Sequence, residues 1–452
     1  MSSIKKFRIH SEELSQSEKK VLKKLTKAAE LLAPLYVKQK NPKYPGAAFY
    51  SPNITKEEVK RAAKKNPAIL SPYTFVEKNN KGELESIPFS TKFQKELKGI
   101  AILLRDAAHI SEDKNFKAYL KARAEDLLKD NYDKSNALWL KTQESKIGCV
   151  IGPFDRYLDK LFFQKRAYMA WVGVLDKRLT REMNTFKNTL LIAERKYLPG
   201  SKRAKIPEVK IRVEDSAIFS GLIADFLFVG NNLPSSADLY LIKKHGTLLT
   251  LFKPTMRRRF STWIYPIFQS LFSKDLQQQY TKEELEKAFI QTNVLHESCH
   301  SLMRYDDAVS RLQEFFPYFD EIYADVLGLK GCGTLLLKDV ISEKDLQAMI
   351  LVSICHTLYF YGSLKEKPNL DPYAVGSAIL LDFLLKGKAL RKNKGGWRID
   401  FHRAYITVSQ LSSVLEYYMA LGGREEARSF LKKFDTKEIF SNFAPQLAIL
   451  TK

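Results

Sequence analysis

No run of about 18 uncharged apolar residues occurs anywhere in the chain, so no segment has the composition of a membrane-spanning helix. Cysteine is nearly absent. Cys149, Cys299, Cys332 and Cys355 are all that 452 residues hold, and their scattered spacing excludes a disulfide framework and points to a reducing compartment. The opening residues, Met-Ser-Ser-Ile-Lys-Lys-Phe-Arg, lack the apolar core and cleavage site of a secretory leader, so a soluble, cytoplasmic protein is expected. Acidic residues are outnumbered, 51 against 74 lysines and arginines, for a net charge of +23. The excess is spread along the chain, with its densest cluster at Arg257-Arg258-Arg259. No zinc-finger spacing or aromatic RNA-binding strand accompanies it, so neither nucleic acid nor a membrane is expected as the primary partner. Internal repeats, low-complexity segments and long linkers are also missing. A hydrophobic content of 45% over this length suits two or three globular domains, and a monomer is expected.

Histidine is scarce too, seven in all, which makes one run conspicuous: His296-Glu297-Ser298-Cys299-His300. On a helix, residues four apart sit one above the other, so His296 and His300 can present two imidazoles to one zinc ion. Glu297 projects beside the metal, where it can take a proton from a water that the metal activates. The helix is well announced. Thr281-Lys282-Glu283-Glu284 forms a capping box, and Leu285, Ala288, Phe289, Thr292, Leu295, Cys299 and Leu302 follow at helical spacing. Cys299 lies about 60° round the helix from His296 and reads as a small buried apolar residue. Glu321, in Asp320-Glu321-Ile322-Tyr323-Ala324-Asp325, supplies a third candidate ligand, because catalytic zinc sites use three protein ligands and an open position. Asp320 and Asp325 flank it, where carboxylates would orient ligating imidazoles; the competing reading for this pair is a plain solvated helix face.

Elsewhere the pattern predicts an amphipathic helix over 17–33 closed by Pro34, and a capping box at Thr55–Glu58 opening a helix that ends near Asn66-Pro67. A hairpin is predicted over 73–90, and long helices over 91–129 and 160–195. Strands follow at Val209–Val213 and between Phe226 and Phe252, with a mainly helical remainder from 255.

These residues resemble the dipeptidyl peptidase III family of zinc peptidases, in particular its shorter homologues, which also occur fused to Nudix domains. Members with a five-residue motif carry His-Glu-Cys-Cys-His-Gly where this chain has His296 to Ser301, and a Glu-Glu-Ala-Lys-Ala-Asp run beside Asp320–Asp325. Pro45–Tyr50, Ser71–Thr74, Ile151–Tyr157 and Ile399–Phe401 match further family landmarks in order, so the resemblance covers about 40–435. It implies an α+β fold, predominantly α-helical, of two lobes with a wide cleft. One is a mixed α/β substrate-binding lobe over 1–255 with N-terminal helices; the other is a mainly helical, zinc-binding catalytic lobe over 256–452. It also implies Zn2+ held by His296, His300 and Glu321, with Glu297 as general base and Tyr157 as the transition-state tyrosine. Asn232 matches the first asparagine of a segment that binds the substrate backbone, whose second asparagine is Ser235 here. The family's transition-state histidine is replaced by Tyr373, and His356 is an alternative source of the missing imidazole. The expected function is zinc-dependent hydrolysis of short peptides. The alternative is a catalytically weak, zinc-stabilised peptide-binding homologue.

Overall fold

The computed structural model describes residues 3–9, 12–156, 158–197, 208–234, 238–302, 305, 307–363 and 372–448. Its first long helix is Gln16–Gln39, opened by a capping box in which Ser15 and Glu18 satisfy each other's main-chain amides. Val21, Leu25, Ala28, Ala29 and Leu32 are buried along one face. Pro34 does not close this helix. It costs one main-chain hydrogen bond, but Leu35, Tyr36 and Gln39 beyond it are also buried, and that burial carries the helix through. The second capping box behaves as read: Thr55 opens Lys56–Lys65, which stops at Asn66.

Ten strands are described: β1 (Ile4–Lys6), β2 (Thr74–Lys78), β3 (Leu84–Pro88), β4 (Ile147–Asp155), β5 (Ala167–Leu175), β6 (Val209–Gly221), β7 (Gly230–Leu233), β8 (Thr247–Phe252), β9 (Leu390–Asn393) and β10 (Gly396–Ile399). β2 and β3 are the predicted hairpin. A six-stranded sheet runs β4-β5-β6-β8-β7, with β1 added against β6. β5 corrects the helix expected over 160–195. Every residue from Ala167 to Val174 is buried, so both faces of the strand are covered and no alternation marks it; the helix begins at Lys177. Gly148 on β4 admits a buried ion pair, Arg212 with Glu214, because a Cβ there would stand 1.7 Å from Glu214 Oε1. Arg212 also donates to the carbonyls of Gln143 and Ser145 at 2.9 and 2.6 Å.

The chain divides into two compact units, 1–180 with 210–255, and 181–209 with 256–452. The first unit holds the sheet and the N-terminal helices. The second is built of helices, among them Lys282–Leu302, Phe316–Leu337, Glu343–Ser363, Pro372–Lys386 and Phe401–Ala420, with the hairpin β9-β10, which carries no alternating pattern long enough to announce it. The architecture is α+β and predominantly helical. All four cysteines are buried, and none is joined in a disulfide among the described residues. No described helix is long and apolar enough to cross a membrane.

Candidate metal centre

The helix Lys282–Leu302 starts where the sequence places it: Glu284 N–H donates to Thr281 Oγ1 at 3.1 Å, and Thr281 N–H donates to Glu284 Oε2 at 2.8 Å. Leu285, Ala288, Phe289, Leu295 and Cys299 are buried on its packed face. That packing leaves His296, Glu297 and His300 along the edge of the face, partly accessible. Cys299 is fully buried, as expected of an apolar filler.

The partner helix, Phe316–Leu337, brings Glu321 and Asp325 to the same place, one turn apart on one face. Its approach depends on Gly328 one further turn along. A Cβ there would lie 3.0 Å from Leu295 Cβ and 3.7 Å from the His296 amide nitrogen, so the two helices cross in near-backbone contact at the motif. Behind Glu321, Gly376 lets the helix Pro372–Lys386 pack closely on Ile322, because a Cβ there would lie 3.0 Å from Ile322 Cβ.

Three donor atoms converge. His296 Nε2 and His300 Nε2 are 3.1 Å apart, and Glu321 Oε2 stands 3.3 Å from the first and 3.7 Å from the second. Ligands about 2.0–2.2 Å from a tetrahedral zinc ion are separated by roughly 3.3–3.5 Å, so these spacings match the edges of such a site. The remaining ring nitrogens face carboxylates: His296 Nδ1 meets Asp325 Oδ1 at 2.7 Å, and His300 Nδ1 meets Asp320 Oδ2 at 3.4 Å. An aspartate that accepts from Nδ1–H favours the tautomer whose Nε2 lone pair is available to a metal at the common point. Glu321 Oε2 is buried and has no hydrogen-bond partner among the described residues. Electrostatics agree. Burial opposes a positive charge on both rings, yet Asp325 and then Glu321 hold His296 well above the ordinary imidazole range. Asp320 and Glu321 likewise raise His300 to about 9. His296, His300 and Glu321 form a group whose ligand atoms are close enough together to ligate one metal ion. Among the described residues no hydrogen bond or ion pair ties down the Glu297 carboxylate, one position from His296.

The remaining expected residues lie elsewhere. Asn232 is on β7 in the first unit, opposite Leu249 of β8, and its Oδ1 is buried without a hydrogen-bond partner among the described residues. Tyr157 and Ser235 lie outside the described residues. Tyr373, on Pro372–Lys386, stacks its ring on Phe360 at 4.8 Å, and Phe360 packs on His356 at 4.3 Å. His356 is half-buried, with its Nε2 buried and unpartnered among the described residues; burial, then the charges of Arg259 and His296, keep it neutral. Sequence reasoning passed over Gly328 and Gly376. Gly328 sits seven residues after Glu321 on the same helical face, a periodicity that could have marked a close crossing.

The fold and this centre define a two-unit α+β protein with a His-Glu-x-x-His helix crossed by a carboxylate-bearing helix. Among solved structures, that of dipeptidyl peptidase III from Caldithrix abyssi superposes with a TM-score of 0.86 at 20% identity, covering 99% of this chain and 97% of that one. Dipeptidyl-peptidase III from Corallococcus sp. strain EGB gives 0.79 at 21% identity, covering 99% and 96%. The chain therefore has the dipeptidyl peptidase III fold. Nudix hydrolase 3 of Arabidopsis thaliana is 24% identical over an alignment of 433 positions that covers 87% of this chain and 54% of the relative. The chain thus spans about half the length of the curated relative it matches. No protein-family model matches it.

Proposed function

We propose that the chain is a zinc-dependent peptide hydrolase, similar to dipeptidyl peptidase III, that cleaves short peptides. The observation that carries this reading is the convergence of two imidazole nitrogens and one carboxylate oxygen within 3.1–3.7 Å, each imidazole backed by its own aspartate. His296, His300 and Glu321 would hold the zinc. Bound there, zinc supplies a Lewis acid that acidifies a water and polarises a scissile carbonyl. Glu297 is the base: its free carboxylate takes the water's proton and returns it to the amine nitrogen that leaves as the C–N bond breaks. Asp325 and Asp320 keep the two imidazoles oriented throughout. Asn232 holds the substrate backbone; its buried, unpartnered Oδ1 is an acceptor for a peptide N–H. By the family resemblance, Tyr157 and Tyr373 are the residues that would donate hydrogen bonds to the developing oxyanion.

The purified protein, loaded with zinc, should hydrolyse dipeptidyl-naphthylamides or free short peptides and lose that activity on chelation. Glu297→Gln should keep its zinc and lose about 10²–10⁴ in kcat. The second reading, a peptide-binding protein with little catalysis, is favoured by Tyr373 being stacked on Phe360 where relatives carry a histidine donor. A binder would show peptide affinity in calorimetry that Glu297→Gln leaves intact, and no turnover in the parent.

A further inference from the structure

Arg259 ends the helix Lys253–Arg259, immediately before a π-helical turn, Phe260–Ile264. Its two neighbours are ordinary surface cations: Arg257 pairs with Glu286 at 3.0 Å, and Arg258 is exposed. Arg259 is different. Its guanidinium lies over the Tyr359 ring, 5.3 Å from the centroid, with the Tyr359 phenol as its hydrogen-bond partner and Tyr373 within electrostatic reach. Among the described residues it has no carboxylate partner. The surroundings are aromatic: Trp263 packs on Tyr359 at 6.3 Å, His356 on Tyr359 at 6.0 Å, and Phe360 stacks on Tyr373.

This wall adjoins the metal centre. Phe289, on the motif helix two turns before His296, meets His356 edge-on at 5.2 Å. His356 in turn packs on Tyr359, the ring beneath the guanidinium, so one imidazole links the motif helix to the Arg259 wall. Burial lowers the guanidinium's pKa and the two phenols oppose the fall, but an arginine keeps its proton in a protein. A permanent cation among rings, half-exposed and without an anion among the described residues, can take one, and its planar fork matches a carboxylate.

We propose that Arg259 is the receptor for a carboxylate of the peptide substrate, either the C-terminal carboxylate or an acidic side chain. The inference rests on the peptidase reading above. Its test compares three forms of one short peptide: the free acid, the C-terminal amide, and the amide with one residue changed to glutamate. The parent should favour at least one carboxylate-bearing form over the plain amide by about tenfold or more in kcat/KM, the scale of one charge-assisted hydrogen bond. Arg259→Gln should abolish that preference, mainly through KM, and leave the plain amide unchanged. Arg259→Lys should retain part of it. Preference for the free acid identifies the terminus as the source, and preference for the glutamate peptide identifies the side chain. Calorimetric binding of the same peptides to zinc-loaded Glu297→Gln, with and without Arg259→Gln, reads the discrimination independently of turnover. Zinc content and thermal midpoint report whether each variant is folded. If the parent cleaves none of the peptides, the peptidase reading fails and the binding arm still decides the role of Arg259. Equal loss on acid and amide would place Arg259 at the reacting carbonyl or in the scaffold. That result, or no loss at all, overturns the proposal.

Discussion

His296 meets its aspartate at 2.7 Å and His300 meets its own at 3.4 Å, so the two imidazoles are not held equally firmly. Replacing such a supporting carboxylate commonly costs about 10–100-fold in metal affinity. Asp325→Asn should therefore weaken zinc binding toward that full range, and Asp320→Asn should weaken it less. Competition with a zinc-chelating dye measures both, and an equal or reversed order would contradict the geometry. At this scale the sequence is most legible where chemistry imposes a spacing. Two histidines four apart with a glutamate between them stand out among seven histidines, and a carboxylate-rich run supplies the third donor. Arg259 shows the limit. In the sequence it is the last of three arginines; what separates it from Arg257 and Arg258 is the packing of Tyr359 and Tyr373, from two other helices, around it.

The motif helix is positioned by its crossing with Phe316–Leu337, and that crossing is set by a missing side chain. At Gly328 a methyl group would meet Leu295 Cβ at 3.0 Å, which the helices can relieve only by separating a few tenths of an ångström. Gly328→Ala should lower zinc affinity although it alters no ligand. Gly395→Ala, where a Cβ meets nothing within 4 Å, should leave affinity unchanged and serves as the control. Loss of affinity in both or in neither would detach the crossing from the metal centre. Elements with capped ends were readable: the boxes read at Thr55 and Thr281 both form. Elements covered on both sides were not. β5 has no period, because no face of it meets water, and Pro34 is absorbed because the turn beyond it is buried.

The molecule's stability also carries a readable pH dependence. Lys165, fully buried in the first unit, donates from Nζ to the carbonyls of Ile69 and Ser71 and to Thr74 Oγ1 at 2.6, 2.8 and 2.7 Å. Burial pulls its pKa down to about 7, against the opposing attraction of Asp159. Between about pH 7 and the unfolded value near 10.4, the unfolded chain binds a proton that the folded chain does not, so raising the pH favours the fold. Below about 7 both states are protonated and the cost of the buried charge is present in full. Denaturant unfolding should show the parent gaining stability relative to Lys165→Met as pH rises from 7 to 9.5. Parallel curves would mean that Lys165 does not titrate in that window.

The central claim is that zinc at His296, His300 and Glu321 makes this fold a peptide hydrolase, and titration of metal-free protein with zinc while peptide cleavage is followed tests it most directly. Hydrolysis should rise linearly and level off at one equivalent per chain, and in His300→Ala no such saturable rise should occur. Cleavage that persists in metal-free protein, or that fails to appear at any zinc loading, would contradict the account.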